Sequence, residues 1–478
     1  MTPPAGIALV PRGARRPEAH GGSPDEAPVV PARVALVTLG CAKNLVDSEI
    51  MAGLLASGGF RATATPEEAD VAIVNTCAFI GPAQKESIDR ILELAALKRE
   101  GRLRGLVVAG CLAQRFQGEI LREIPEVDAV VGTGQVEAIV RVAHRVRRGG
   151  AAPILEVGPP GTAIDLASHR AVSTPRHLAW LRIADGCDFR CTFCIIPALR
   201  GDLRSRPIES VVAEARRLAE GGTRELLLIA QDSTSYGADR YGASKLPELL
   251  RELARVEGVE WIRVHYTHPK TWDEALIRAF EEEPKICRYV DIPLQHVTDP
   301  MLRRMRREVR RADTERLVET LRRRIPGVAI RTHFIVGFPG ETEEDFEELL
   351  RAVTSAAYEH VGCFAYSREE GTPAGRMKEQ VPERVKLERR RRLMAAQRDV
   401  AARVWGAWIG REVTARVDAP AAGRAGVWEG RVEQQGYEVD GKTLIRAGAG
   451  GTALEPGSRM TVRIRAARGY DLDGEVLG

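Results

Sequence analysis

The chain has 478 residues, 44% of them hydrophobic, with 70 basic and 66 acidic side chains for a net charge of +4. That length sets an expectation of about three domains. The near-balance of charge gives no whole-chain reason to bind nucleic acid, and no apolar run approaches the about 18 residues of a membrane span. The amino-terminal residues lack a basic segment followed by an apolar signal core. Eight cysteines in so long a chain read as metal or redox ligands and not as a disulfide framework. The expected compartment is therefore cytoplasmic, with no membrane partner.

Residues 1–32 are rich in Pro, Gly, Ala and Arg without periodicity, and read as a disordered extension. From Val34 the pattern becomes strand–helix–strand. Val34–Leu39 leads into Gly40 and Cys41, Val71–Thr76 ends in Cys77, Leu106–Gly110 ends in Cys111, and Asp128–Val131 ends in Gly132, with a helical stretch from Ser87 to Lys98. This predicts an α/β domain with a parallel sheet over residues 33–149. The carboxyl ends of parallel strands form a ligand crevice, so Cys41, Cys77 and Cys111 are expected to converge as a second three-cysteine cluster site. Taken singly, each reads equally well as a small buried hydrophobe.

Residues 150–175 carry Gly, Pro and Ala and read as a linker. A second alternation fills 176–403, with candidate strands Leu178–Ile183, Glu225–Ile229, Trp261–Val264, Tyr289–Ile292, Ala329–Val336 and Val361–Tyr366, and helices such as Ile208–Glu220, Leu246–Val256 and Glu343–Ala356. Six βα repeats predict a partial (β/α)6 barrel whose site lies at the carboxyl ends of the strands. Just after the first strand, Cys187, Cys191 and Cys194 form C-x₃-C-x₂-C. Three thiolates at that spacing grip three corners of a cubane iron–sulfur cluster, which normally takes four cysteines. The fourth iron is left open, as at a catalytic metal. Phe193 puts an apolar wall beside the last cysteine. A zinc knuckle or packing cysteines are the alternatives, but zinc wants a fourth ligand at short range and the nearest downstream is His265.

Other candidates fall at the same predicted face. The turn Gly337–Glu341 ends the fifth strand, where Gly337 and Gly340 would let backbone approach a ligand, and Glu341 joins them as a cofactor-binding candidate. Gln231 and Asp232 follow the second strand, and Gln295 and His296 the fourth; loop solvation competes with substrate contact for all four. His265 and His268 follow the third strand and read first as satisfied loop histidines. Cys287 and Cys363 read as structural thiols. The run Arg303–Arg307 reads as a solvated helix face. After Trp405, alternating segments at Glu412–Val417, Gly430–Glu433 and Met460–Ile464 with Gly-rich turns predict a small antiparallel β-barrel over 404–478.

With both cysteine triads placed, the chain resembles the methylthiotransferases, a family of radical S-adenosylmethionine enzymes, over roughly residues 33–478. The telling stretches are Leu39–Glu49, Asn75–Ile80, Leu199–Pro207, Ala230–Asp232, Pro293–His296 and Val361–Ser367. They are similar to the branch that modifies an aspartate of the twelfth small-subunit ribosomal protein. The resemblance implies an amino-terminal cluster domain, a radical barrel and a carboxyl-terminal TRAM barrel. It implies two 4Fe-4S clusters, one on Cys187, Cys191 and Cys194 that binds and cleaves S-adenosylmethionine, and one on Cys41, Cys77 and Cys111 that presents sulfur. A radical so formed would take hydrogen from the aspartate β-carbon, and a second S-adenosylmethionine would supply the methyl group, with an electron donor that the sequence does not identify. The TRAM barrel would help hold the ribosomal protein. Ala42 stands where this branch commonly has proline, and Val432–Asp440 lacks the usual Asp-Ala-Pro-Glu stretch. The alternatives are the tRNA isopentenyl-adenosine branch, which shares every cluster residue and would contact RNA directly, and a non-catalytic two-cluster electron carrier.

Overall fold

A computed structural model of the protein describes residues 7–8, 32–149, 152–161, 170–447 and 454–477. The chain forms two compact units. The first comprises the amino-terminal residues as far as Thr174 with Asp185–Asp188 and Cys194–Arg206; the second comprises Pro175–Ala184, Phe189–Phe193 and the chain from Pro207 onward. Among the described residues no helix is long and apolar enough to cross a membrane.

The first unit is built on a parallel sheet of β1 (Ala32–Thr38), β2 (Phe60–Ala62), β3 (Val71–Thr76), β4 (Gly105–Gly110), β5 (Ala129–Val131) and β6 (Ile154–Glu156). The order runs β1-β3-β4-β5-β6, with β2 beside the first half of β1. Every residue of β3 and β4 is buried. β4 and the first four residues of β3 are apolar throughout, as expected of parallel strands covered on both faces, while Asn75 and Thr76 end β3 as buried polar groups. Ile7–Ala8 pairs antiparallel with Val37 and Thr38 on the sheet edge; the rest of the expected extension through residue 31 lies outside the described residues. Helices α1 (Ala42–Ser57), α2 (Gly81–Arg99), α3 (Cys111–Phe116) and α4 (Ile196–Arg200) belong to this unit. Helix α2 begins six residues before the expected Ser87, because Pro82 lies in its first turn, where a missing N–H costs nothing.

The second unit carries six parallel strands in chain order: β7 (Leu178–Arg182), β8 (Glu225–Ile229), β9 (Trp261–Val264), β10 (Tyr289–Asp291), β11 (Ala329–Val336) and β12 (His360–Ala365). They form two three-stranded sheets, β7-β8-β9 and β10-β11-β12, joined by a single bridge between Ile262 and Ile286. Helices α5 (Ile208–Glu220), α6 (Leu246–Ala254) and α7 (Glu343–Ala356) separate the strands. Helix α8 (Glu383–Gly406) then leads to a closed barrel of β13 (Glu412–Pro420), β14 (Val427–Val432), β15 (Thr443–Arg446), β16 (Arg459–Arg468) and β17 (Asp471–Val476), in the order β13-β14-β15-β17-β16. Pairing is antiparallel except between β15 and β17. A closed ring of five strands cannot alternate direction throughout, so one parallel seam is unavoidable.

The barrel meets the amino ends of the core strands through buried charges. Glu225, the first residue of β8, accepts from Arg263 at 3.0 Å and from Arg431 at 3.0 and 2.8 Å, and Arg431 also pairs with Asp418. The divergent stretch after Val432 is part of this seam. Arg263 donates to the Glu433 carbonyl at 2.6 Å, His360 bonds the Gln434 carbonyl at 2.8 Å, and Tyr289 donates to Asp440 at 2.6 Å.

Candidate functional site

The three early cysteines come from adjacent strands of one parallel sheet. Cys41 caps the amino end of α1, Cys77 directly follows β3, and Cys111 follows β4 and opens α3. The ladder pairs Thr38 with Asn75 and Thr76 with Gly110, so all three residues leave the sheet at the same edge. Asn44 ties the strand ends together, donating to the Leu39 carbonyl at 3.0 Å and the Thr76 carbonyl at 2.9 Å. Gly40 has φ +93, and a Cβ there would lie 2.7 Å from Cys77 Cβ and 3.1 Å from its Sγ. The close approach of Cys77 therefore requires glycine.

Burial governs the electrostatics of this edge. Burial, then the neighbouring thiolates of Cys111 and Cys41, push the Cys77 thiol up to about 12. Burial pushes Cys111 up to about 11 against the opposing charge of Arg200. Thiols so placed stay protonated unless metal binds them. None of the eight cysteines is joined in a disulfide. Among the described residues no three His, Cys, Asp or Glu side chains gather closely enough to hold a single metal ion.

The Cys187–Cys194 loop divides between the two units. In the first, Gly186 has φ +77 with the Asp202 carbonyl 1.9 Å from where a Cβ would be. Cys187 N–H donates to the Gly201 carbonyl at 3.1 Å, and Ile196 N–H donates to Cys194 Sγ at 3.4 Å. In the second, Cys191 is buried and accepts from Arg307 Nη1 at 3.4 Å, while Arg307 Nη2 donates to the Pro293 carbonyl at 2.6 Å. Thr192 is held by the Met305 carbonyl at 3.0 Å and the Arg304 carbonyl at 2.8 Å. Phe193 packs edge-on to Phe338, with ring centres 6.5 Å apart, in a cluster with Met301, Met305 and Tyr366. Phe189 stacks on His268 at 3.8 Å.

The run Arg303–Arg307 is corrected in part by this geometry: Arg303 and Arg306 are solvated, but the run is not one continuous solvated helix face. Its helix stops at Arg304, Arg306 turns with φ +53, and Met305 and Arg307 point inward. Arg307 was missed because a guanidinium aimed at sulfur leaves no periodic signal. Arg200 and Asn44, both within the resembling stretches, were not singled out for the same reason.

The remaining candidates lie at the carboxyl ends of the core strands and are largely occupied by protein partners. Asp232, after β8, is buried and accepts from the Thr234 N–H at 3.1 Å, the Thr234 hydroxyl at 2.6 Å and the Ser235 hydroxyl. Burial raises its carboxyl pKa. Gln231 is half-buried beside it. Thr234 also accepts from His268 N–H at 2.9 Å, joining the loops after β8 and β9. Burial and the charges of Arg307 and Lys270 hold His268 down to about 2, so its ring is neutral. His265 pairs with Asp291 at 3.3 Å. After β10, Gln295 adopts φ +72 and His296 Nε2 meets Glu341 at 3.3 Å. Glu341 faces inward, bound also by Gly337 N–H and by Arg389 at 2.9 Å. A Cβ on Gly337 would meet Lys386, and one on Gly340 would meet Arg304 at 2.6 Å. Cys287 and Cys363 are buried thiols; burial raises both, Cys363 to about 12.

Three family models match the chain: the uncharacterized protein family UPF0004 over residues 33–132, the Radical SAM superfamily over 181–353 and the TRAM domain over 409–477. The chain is 48% identical to the ribosomal protein uS12 methylthiotransferase RimO of Heliobacterium modesticaldum, covering 93% of this chain and 95% of that one. It is 46% identical to the protein of the same name from Pelotomaculum thermopropionicum, covering 93% and 99%. Among solved structures, the radical S-adenosylmethionine methyltransferase TsrM of Kitasatospora setae, with tryptophan and a SAM analogue bound, aligns with TM-score 0.54 at 18% identity, over 72% of this chain and 75% of that one. That likeness carries the fold. The radical SAM match brings S-adenosylmethionine and a 4Fe-4S cluster as cofactors of the superfamily. On identity and coverage, the chain belongs to the RimO family of radical S-adenosylmethionine methylthiotransferases.

Proposed function

We propose that this enzyme replaces one hydrogen on the β-carbon of an aspartate in ribosomal protein uS12 with a methylthio group. The observation that carries the reading is the gathering of Cys41, Cys77 and Cys111 at one sheet edge of a chain whose relatives are named for uS12 methylthiolation. On this reading Cys187, Cys191 and Cys194 hold one 4Fe-4S cluster and the early triad holds a second. When bound, the clusters and S-adenosylmethionine supply the electron transfer, hydrogen abstraction, sulfur and methyl group that side chains cannot provide.

The side chains bind, orient and exclude water. Arg307 donates to Cys191, and such N–H contacts stabilise thiolate charge at a cluster. Phe193 and Phe338 keep one flank of the loop dry. Asp232, Thr234 and His268 fix the loops after β8 and β9 as a rigid floor, with Gln231, Gln295 and His296 as substrate-facing candidates. Gly337, Gly340 and Glu341 shape the turn after β11, where S-adenosylmethionine would lie. Residues 33–149, extended by β6 inside the stretch expected as a linker, serve as the sulfur-presenting domain, 176–403 as the radical core and 404–478 as the TRAM barrel. Eight cysteines with no disulfide among them suit the reducing cytoplasm. An electron donor completes the system, and no direct RNA contact is required.

The test is anaerobic reconstitution, followed by incubation with uS12 or with isopentenyl-adenosine tRNA, reductant, sulfide and S-adenosylmethionine. Mass spectrometry should find one methylthio group in place of hydrogen on one aspartate of uS12. Modification of the tRNA alone would reverse the substrate assignment.

A further inference from the structure

Arg200 ends the short helix α4, six residues past Cys194, and is 2% exposed. A buried guanidinium needs partners for its charge and its five N–H groups. Nη2 lies 2.7 Å from Asp47 and 2.8 Å from the Asn44 side-chain oxygen Oδ1, with Cys111 Sγ at 3.8 Å; Nη1 lies 3.4 Å from Asp185. Each partner flanks a proposed cluster ligand. Asn44 and Asp47 lie on the helix that Cys41 caps, Cys111 is itself a ligand, and Asp185 precedes Cys187 by two residues.

The aim of the group is fixed. The Asn44 amide is locked by the Leu39 and Thr76 carbonyls, so its oxygen must face Arg200. Asp47 and Asp185 hold the guanidinium through its two terminal nitrogens, and Nη2 also faces Asn44 Oδ1 and Cys111 Sγ, which lie 3.7 Å from each other. An ion pair serving stability alone would not require the Cys111 contact, and a buried pair is weak evidence for stability in any case. Charge and N–H donors at cluster sulfurs raise the reduction potential by favouring the more negative, reduced state.

We propose that Arg200 is a positioning residue that balances charge at the amino-terminal cluster and sets its reduction potential through Cys111. The proposal rests on Cys41, Cys77 and Cys111 being cluster ligands. The experiment therefore uses full-length protein with Cys187, Cys191 and Cys194 replaced by Ala, which isolates the amino-terminal cluster. This background should bind about four irons; near-zero iron would end the cluster reading itself and the proposal with it. A redox titration followed by electron paramagnetic resonance then compares Arg200→Gln and Arg200→Lys. Arg200→Gln should lower the reduced-to-oxidised ratio at fixed potential at least about tenfold, which is 59 mV for one electron, and Arg200→Lys should shift it less. An unmoved midpoint in Arg200→Gln with iron retained overturns the proposal. So does loss of iron in both variants, which would make Arg200 a brace. Should Arg200→Gln alone lose iron, Asn44→Ala, which frees the guanidinium from its orienting carbonyl, must move the midpoint the same way; an unmoved midpoint there also overturns it.

Discussion

Gly40→Ala should remove the amino-terminal cluster while leaving radical generation intact. Two costs attach to the added methyl. The backbone at φ +93 disfavours any side chain, a strain of about 1–3 kcal/mol. The new Cβ would also stand 2.7 Å from Cys77 Cβ, whereas carbon–carbon contact begins near about 3.5 Å. Cys77 must therefore move by about 0.8 Å, which exceeds the about 0.2 Å over which metal-ligand distances are tolerated. Ser87 holds Cys77 from both sides, accepting from its N–H and donating to its carbonyl, each at 3.0 Å, so the shift cannot be shared cheaply. Iron after anaerobic reconstitution should fall from about eight to about four per chain. 5′-Deoxyadenosine should still form, and methylthiolated uS12 should not. Gly59→Ala is the control, because Gly59 has φ +84 and nothing within 4 Å of an added Cβ; it carries the strain without the clash and should keep about eight irons. Full iron and full methylthiolation in Gly40→Ala would refute the reasoning.

Cys41, Cys77 and Cys111 replaced together by Ala should spare cleavage of S-adenosylmethionine and abolish sulfur insertion, and methylthio product from that variant would remove the early triad from the chemistry. Gly340→Val should weaken S-adenosylmethionine binding without loss of iron, by displacing Arg304 from the turn; unchanged affinity in a folded variant would leave the turn a packing feature only. Glu225→Gln should destabilise the core by about 3–5 kcal/mol, because it strips Arg263 and Arg431 of a buried counter-charge, and an unshifted melting temperature would contradict this. The partner arginines hold the Glu225 carboxyl well below the usual range. Its contribution is therefore present above the unfolded pKa of about 4.3 and lost as pH falls below it, which acid-unfolding curves of parent and variant should show by converging at low pH.

What was legible in the sequence follows from burial pattern. Val71–Thr76, Glu225–Ile229, Trp261–Val264 and Ala329–Val336 keep the same bounds in the structure. Each is a β-rich run closed by a cysteine, a glycine or a polar loop. The order of the six core strands and the shared edge of the early cysteines follow from the rule that parallel strands point one way. Contacts made by long charged side chains were not legible. Arg200 and Arg307 lie in arginine-rich surroundings, and whether a guanidinium turns to solvent or to sulfur depends on where helices α4 and Asp299–Arg304 stop. Ile7–Ala8 escaped because two residues are too few for a periodic signal.

The two ends of the core strands have opposite chemistry, and this bears on the TRAM barrel. Arg263, Tyr289 and His360, toward the amino ends, are taken up by Glu433, Gln434 and Asp440. The stretch Val432–Asp440 is held in this seam by its own pairings. A buried carboxylate such as Asp440 is tolerable only when paired, and here it meets Tyr289, Arg331 and His360 at once. Replacing Asp440 by an apolar residue would therefore leave Arg331 and His360 without that counter-charge. The carboxyl ends carry the opposite arrangement: loops fixed by short hydrogen bonds through Asp232, Thr234 and His296, with Arg307 turned to Cys191. The seam at the amino ends is thus spent on its own pairings, and the proposed substrate-facing candidates Gln231, Gln295 and His296 all lie at the other end.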